Sequence, residues 1–130
     1  MSDFAAGIAA YAKRTKLGID QAVVSINTQA AVSIIKRTPV DTGRARGNWQ
    51  PSISTPAQTS TEDTDKSGTG AIASASATAK VSAGTVFYLT NNPSYIRKLE
   101  HGHSKQAPNG MVGLTVLEMR SRIRNEWKAK

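Results

Sequence analysis

The sequence predicts an α+β domain in which a long N-terminal helix and a C-terminal helix pack on a small, mainly antiparallel sheet. Three observations predict this class: a long opening segment with helical spacing contains no proline, a second helical segment closes the chain, and two runs suited to strands lie between them. A chain of 130 residues fits one domain, and we assign 1–130 to it.

Residues 3–37 have the apolar spacing of one helical face. Large apolar side chains recur every three or four residues from Phe4 to Ile34. Gly18 is the weak point of this helix, and Pro39 ends it because a proline forces the preceding residue out of the α region. A helix of roughly 50 Å, at 1.5 Å per residue, is longer than a small domain can cover. We therefore expect a break near Gly18 or a partner subunit along the helix.

A turn and two strands are expected next. Val40 to Gly43 predict the turn, in which the Asp41 carboxylate accepts a hydrogen bond from the backbone two residues on and Gly43 supplies a positive φ. Residues 46–54 predict a strand. Residues 84–90 predict its antiparallel partner, because this run is rich in β-branched and aromatic side chains.

The segment between the strands is polar and then alanine-rich. Residues 54–70 have almost nothing to bury, which predicts a flexible polar loop. Residues 71–83 alternate like a strand, but their alanines favour a small helix capped by Ser67 or Thr69.

Two further helices are expected after the second strand. Ser94 is positioned to cap a short helix that contains Leu99, with Gly102 as the residue just beyond its end. A last helix runs from Gly110 to about Lys128. Its predicted buried stripe consists of Val112, Val116, Met119, Ile123 and Trp127.

Composition excludes several kinds of site. The chain has no cysteine, so it has neither disulfides nor a thiolate zinc site. It has no apolar run of about 18 residues, so no transmembrane helix is predicted, and its first residues do not resemble a signal peptide. The formal net charge of +8 suits contact with nucleic acid, anionic lipid or an acidic protein face, and equally a solvated basic surface.

The triplet Asp41-Thr42-Gly43 also occurs at the active sites of dimeric aspartic proteases. That chemistry needs two carboxylates sharing a proton in a dry site, with apolar strand residues around them. Here charged and polar residues precede the triplet and Arg44 follows it, and the second signature of those enzymes is absent. A dimeric protease using Asp41 is therefore the remotest of three hypotheses, and we predict no catalytic site and no enzyme activity.

Neither possible metal site has a convincing pattern. Residues 63–68 match the first half of a calcium loop, but Ser74 stands where the bidentate glutamate belongs. Glu100, His101 and His103 are too close together in sequence to converge easily on zinc. We predict no metal and no cofactor.

Two segments resemble a known family. Residues 38–49, Thr-Pro-Val-Asp-Thr-Gly-Arg-Ala-Arg-Gly-Asn-Trp, match the form Pro-x-Asp-Thr-Gly-Arg-x-Arg-x-x-Trp, and residues 89–112 are similar to a later block with a tyrosine-containing helix that ends in Glu-x-Gly. In this order and spacing they resemble the minor tail or tail-completion proteins of long-tailed bacteriophages, which form the neck where tail and head join.

The resemblance implies a structural virion protein without a catalytic site. Such proteins form a ring, usually hexameric, between a head-completion protein and the tail terminator or tail tube, and double-stranded DNA passes through without being read. They assemble in the host cytoplasm and remain in the virion. The matched residues take scaffold roles: a corner made by Asp41, Gly43, Arg44, Arg46 and Trp49, and a second block with Tyr95, Leu99, Glu100, Gly102 and Gly110.

The alternative hypothesis is a basic nucleic-acid-binding module. Arg120, Arg122 and Arg124 of the last helix, with Arg44 and Arg46, could contact phosphates. No helix-turn-helix pair or zinc finger supports sequence-specific binding. In a neck protein the same three arginines of the last helix would be candidates for contact with partners or with the passing DNA.

Overall fold

A computed structural model of the protein describes residues 2–82 and 84–128, with side chains described for 6–82 and 84–124. The described elements, in chain order, are α1 Ser2–Thr15, α2 Ile19–Arg37, α3 Arg44–Gly47, β1 Gln50–Ile53, α4 Thr69–Thr78, β2 Phe87–Thr90, α5 Ile96–Glu100 and α6 Val112–Lys128. The predicted α+β class is confirmed. Within the described ranges, no helix is both long and apolar enough to cross a membrane.

The opening helix breaks where the sequence predicts. Lys16 adopts a left-handed φ of 62°, and the Leu17 N–H donates to the Ala12 carbonyl at 2.9 Å, which closes α1. Gly18 then begins α2 as its N-cap residue, and its N–H donates to the Gln21 side chain. The chain turns back, so α1 and α2 pack on each other.

Two apolar clusters form the core, and α2 contributes to both. The first surrounds the middle of the chain and contains Ala31, Ile35, Trp49, Ala71, Ala75, Ala107 and Met111. The second joins α1 to the first half of α2 and contains Ile8, Tyr11, Ala12, Ala22 and Ile26, with Ile123 of α6 packed against it.

The two strands pair as predicted, but a different helix covers them. β1 and β2 are antiparallel, with Gln50 opposite Thr90 and Ile53 opposite Phe87. The helix that lies on β1 is α4, which also contacts α2, whereas α6 lies on α1 and α2. α2 nevertheless shares the first core cluster with Phe87 and Leu89 of β2. The expectation that the C-terminal helix packs on the sheet is corrected, because α6 lies mainly on α1 and α2. The small side chains of Ala71 and Ala75 let α4 approach β1 closely instead.

The predicted strand over 46–54 is wrong at its start. Residues 44–47 form the single helical turn α3, and the strand begins only at Gln50. Gly43 adopts a left-handed φ of 92° and redirects the chain, and its carbonyl accepts the Gly47 N–H at 3.0 Å. The hydrogen bond of this helical turn therefore replaces the strand that was predicted for the first residues of 46–54.

The alanine-rich segment is helical as predicted, but α4 spans Thr69–Thr78 and not 71–83, and its N-cap residue is Gly68 and not Ser67 or Thr69. Two side chains bind N–H groups of its first turn. Ser67 Oγ accepts the Thr69 N–H at 3.2 Å. Asp65 adds a cap that the sequence did not reveal, since its Oδ2 accepts the Ala71 N–H at 2.9 Å. The predicted cap at Ser94 is wrong, because α5 begins after Tyr95 without a side-chain cap.

The first two positions of the predicted buried stripe of α6 are wrong by one residue. Val112 and Val116 are 38% and 50% exposed, while Met111 and Thr115 are almost fully buried and Met119 is buried as predicted. Thr115 faces α2 and not solvent because its hydroxyl accepts a hydrogen bond from Arg37 at 2.8 Å. The predicted positions Phe4 and Trp127 have side chains outside the described residues.

Candidate functional site at the helix-to-strand corner

The corner begins where Pro39 stops α2. Gly43 at its centre admits no side chain, because a Cβ there would lie 2.7 Å from the Lys66 backbone nitrogen. The side-chain hydrogen bond predicted for Asp41 is made by Thr42, whose hydroxyl accepts the Arg44 N–H at 3.2 Å. Asp41 itself is exposed.

Arg46 closes the C-terminal end of α2. Its Nε donates to the Thr38 carbonyl at 2.9 Å and its Nη2 to the Lys36 carbonyl at 3.0 Å, which are carbonyls that a helix end leaves without partners. Its Nη1 donates to the Lys66 carbonyl at 2.8 Å. A guanidinium with all three nitrogens bound to backbone oxygens is a positioning group, and its positive charge also suits a helix C-terminus.

Arg44 joins three parts of the chain. Its Nε donates to the Thr61 carbonyl at 3.2 Å, and its Nη2 forms an ion pair with Glu62 at 2.9 Å. Its guanidinium carbon lies 5.7 Å from the centre of the Tyr95 ring, which is a cation–π distance. Both corner arginines therefore find partners within the subunit.

Asn48 is a site residue that the sequence analysis missed. It is fully buried; its Nδ2 donates to the Arg44 and Thr61 carbonyls at 2.8 and 2.9 Å, and its Oδ1 accepts the Thr61 N–H at 2.9 Å. It thus fastens part of the polar segment 54–70 to the corner. The only signal in the sequence is its place directly before Trp49, since its partners lie in a segment without a recognisable pattern.

Trp49 fills the first core cluster and is 6% exposed. Its indole Nε1 donates to the Thr38 hydroxyl at 2.8 Å, and that hydroxyl donates to the Ile34 carbonyl at 2.7 Å. The predicted core position of Trp49 is confirmed. The chain of two hydrogen bonds ties the start of the strand to the last turn of α2.

In the second block, Glu100 has a capping role. Its Oε1 accepts the N–H groups of Met111 and Val112 at 3.0 and 2.8 Å, and its Oε2 accepts the Gly113 N–H at 3.0 Å. Burial raises the pKa of this carboxyl, but the three hydrogen bonds and the nearby His101 outweigh burial, so its pKa lies below the ordinary glutamate value. A remote carboxylate thereby binds the positive end of α6.

The two predicted turn glycines are confirmed, and each meets a backbone carbonyl. At Gly102 a Cβ would lie 2.4 Å from the Pro108 oxygen, and at Gly110 it would lie 2.3 Å from the Glu100 oxygen. Gly102 also follows the end of α5 as predicted. Its N–H donates to the Leu99 carbonyl, and the His103 N–H donates to the Lys98 carbonyl.

Corner and second block meet around one cavity of about 550 Å³, which we call the corner pocket. Residues 39–45 form one side, and Tyr95, Leu99, His103, Ser104 and Gln106 form the other. The Gln106 amide bridges them, since it accepts the Val40 N–H and donates to the Val40 carbonyl, both at 2.9 Å.

Tyr95 brings an unpaired polar atom to this region. Its hydroxyl oxygen is buried and has no hydrogen-bond partner among the described residues. Burial raises the pKa of the Tyr95 hydroxyl above the ordinary tyrosine value; the Arg44 guanidinium lowers it in part and Glu62 raises it further. The hydroxyl is therefore a neutral donor at physiological pH.

Two carboxylates of the candidate metal sites, Glu100 and Asp65, are engaged in the fold. Glu100 binds the start of α6, and Asp65 binds the Gly68 and Ala71 N–H groups at 3.1 and 2.9 Å. Within 2–82 and 84–128, no group of three or more His, Cys, Asp or Glu side chains is arranged to hold a metal ion.

The three arginines of α6 differ in their surroundings. Arg122 forms an ion pair with Glu118 at 2.8 Å and hydrogen-bonds to Gln29 of α2. Glu118 also pairs with Arg37 at 2.9 Å, which fastens α6 to α2. Arg120 and Arg124 are exposed, and neither has a partner among the described residues.

We compared the chain with models of protein families, with curated proteins and with solved structures, and none of the three comparisons found a match.

Proposed function

We propose that this chain is a structural virion protein of a long-tailed bacteriophage, one subunit of a neck ring that joins the tail to the head-side connector and lets DNA pass. The observation that carries the proposal is the meeting of residues 38–49 with residues 89–112. These are the two segments that resemble the tail-completion family, and they line the corner pocket together. Segments far apart in the chain would be expected to meet if they form one scaffold.

The chemistry of the corner supports a scaffold role. Arg44 and Arg46 bind backbone carbonyls, Glu62 and the Tyr95 ring. Trp49 is buried. Asp41 is an exposed carboxylate on a polar turn, whereas an aspartic protease needs a dry pair of carboxylates.

The direct test is to look for the chain in assembled particles. Mass spectrometry of purified virions should detect it at a fixed ratio to the tail-tube protein. Electron microscopy of labelled particles should place it at the junction of head and tail. Absence from virions, or a single copy per particle, would contradict the proposal. Deleting its gene should leave heads and tails that do not join.

A basic nucleic-acid-binding module is the second candidate, and the exposed Arg120 and Arg124 favour it. The two functions differ in salt dependence. A nucleic-acid-binding module binds duplex DNA with an affinity that falls steeply with salt. A neck protein should bind free duplex weakly near physiological salt. Fluorescence anisotropy with labelled duplex, repeated at several salt concentrations, separates them.

A further inference from the structure

We propose that the outer face of α6 docks into the corner pocket of a second copy of this chain. The outer face is the exposed side of α6 that bears Leu117, Arg120 and Arg124. The inference rests on the proposed ring and deepens it, because it names the two surfaces through which neighbouring subunits meet.

The first half of α6 is more apolar than a solvated helix needs to be. Val112, Leu114, Val116 and Leu117 are all exposed, and Leu117 is the most exposed at 59%. A helix that is apolar on every side is normally buried, and a contiguous exposed apolar patch marks a site of interaction. We therefore expect another protein surface to bury this part of α6.

The same face carries cations one and two turns further on. Leu117, Arg120 and Arg124 follow each other at spacings of three and four, so they lie along one side of α6. Among the described residues, neither arginine has an ion-pair partner. The matching surface must therefore combine an apolar recess with carboxylates beside it.

The corner pocket offers that combination. Pro39, Val40 and Leu99 contribute apolar lining, and Asp41 belongs to the lining as well. The lining also includes His103 and Arg44, and the Arg44 guanidinium is already paired with Glu62. Asp63 is also exposed, and although it does not line the pocket, its backbone carbonyl packs over Gly47, two residues after the pocket-lining Ala45. Neither carboxylate has a hydrogen bond or ion pair within the described part of the chain.

Charge complementarity favours a second copy as the occupant. Asp41 and Asp63 near the pocket and Arg120 and Arg124 on α6 all lack an ion-pair partner among the described residues, so two carboxylates of one copy face two guanidiniums of the other. Opposite charges across an interface fix its register. The net charges of the two copies repel, but screening limits that repulsion to about 8 Å at physiological ionic strength, so the local pairs dominate.

The face and the pocket share no residue. A contact between them is therefore head-to-tail and leaves one face and one pocket free at the ends of any open assembly. Such contacts close into a ring when the rotation permits.

Charge exchange tests the proposal. We expect Arg120→Glu with Arg124→Glu to abolish self-association of the full chain in sedimentation velocity and native mass spectrometry. Asp41→Arg with Asp63→Arg should do the same. All four changes in one chain should restore assembly, because the charges again match; misfolded protein could not be rescued in this way. Leu117→Asp should weaken association about 10- to 100-fold through lost apolar burial.

Two exposed positions away from both surfaces serve as matched controls. Lys13→Glu reverses an exposed cation on α1, and Ile19→Asp charges an exposed apolar residue at the start of α2; both should assemble as the unmodified chain does. The inference is overturned if the unmodified chain stays monomeric at its highest soluble concentration, if reversing either charged pair leaves assembly intact, or if the fourfold variant is not rescued. Absence from virions would refute the proposed function while leaving this contact measurable.

Discussion

The indole nitrogen of Trp49 lies 2.8 Å from the hydroxyl oxygen of Thr38, across the corner between α2 and β1. Thr38 is 1% exposed, and its hydroxyl donates a hydrogen bond to the Ile34 carbonyl. The buried Thr38 hydroxyl thus provides a hydrogen-bond partner for both the Ile34 carbonyl near the end of α2 and the indole N–H of Trp49. The orientation of the corner, and with it one wall of the corner pocket, depends on this pair.

Replacing Trp49 tests that dependence. Trp49→Ala should lower the free energy of unfolding by about 3–5 kcal/mol, because it removes a large buried side chain from the first core cluster. Trp49→Phe should cost less, since it keeps the apolar volume and loses mainly the hydrogen bond to Thr38. Urea denaturation followed by circular dichroism measures both. Ile53→Ala is the control at an exposed site and should change stability by about 0.5 kcal/mol or less; an equal cost at both sites would contradict the core role.

Gly110→Ala tests the close approach to Glu100. The new methyl would lie 2.3 Å from the Glu100 carbonyl oxygen, and φ is 83°, so we expect a loss of about 3 kcal/mol or more from strain and clash together. Gly84→Ala is a matched control, since φ there is 92° but nothing lies within 4 Å of the added carbon. It should lose only about 1–2 kcal/mol. Thermal unfolding of the two variants should rank them in this order, and the reverse order would refute the clash.

Glu100→Gln tests the remote cap of α6. Removing the charge weakens three hydrogen bonds at a helix N-terminus, so we expect a loss of about 1–2 kcal/mol at pH 7. Urea denaturation at a series of pH values measures it. Asp63→Asn, at an exposed carboxylate that has no partner among the described side chains, should leave the stability unchanged.

The pH dependence of that loss has a defined sign. Because folding lowers the pKa of Glu100, its contribution is fully present above the ordinary glutamate pKa of about 4.3. The contribution disappears as pH falls through the lower folded value. The stability difference between wild type and Glu100→Gln should therefore shrink below about pH 4.3. A difference that stayed constant into acid would show that the carboxylate charge is not what holds α6.

Arg46→Lys should destabilise the corner although the charge is kept. A lysine ammonium cannot reach three carbonyls in the planar arrangement that the guanidinium uses, so at least one charged hydrogen bond, worth about 1.5–3 kcal/mol, is lost. Arg120→Lys, at an exposed arginine without a partner in the described chain, should be neutral. Chemical denaturation of both variants checks this, and equal stabilities would show that Arg46 is not a cap.

Local chemistry determined the elements that sequence analysis predicted correctly. Pro39 ends α2, because the restriction that a proline imposes acts on its immediate neighbour. The break near Gly18 and the end of α5 at Gly102 also depend on residues within a few positions of each other. The strand propensity of 87–90 is local in the same sense, although the antiparallel pairing itself joins residues far apart in the chain, such as Gln50 and Thr90. Propensity and turn chemistry are sufficient at that range.

Tertiary structure decided whatever depends on distant partners. The helical period predicted the spacing of the buried residues of α6. Which side of α6 is buried goes with the contact between Arg37 and Thr115, which are 78 positions apart. The caps supplied by Glu100 and Arg46, and the docking of Thr61 on Asn48, likewise join segments that no local pattern connects. The sequence by itself determined where the long helices, the break near Gly18 and the corner after Pro39 occur, because those preferences are short-range. Only the folded chain decided which apolar residues of α6 remain exposed and which carboxylates lack a partner within the described structure, because burial and pairing depend on how distant segments pack together.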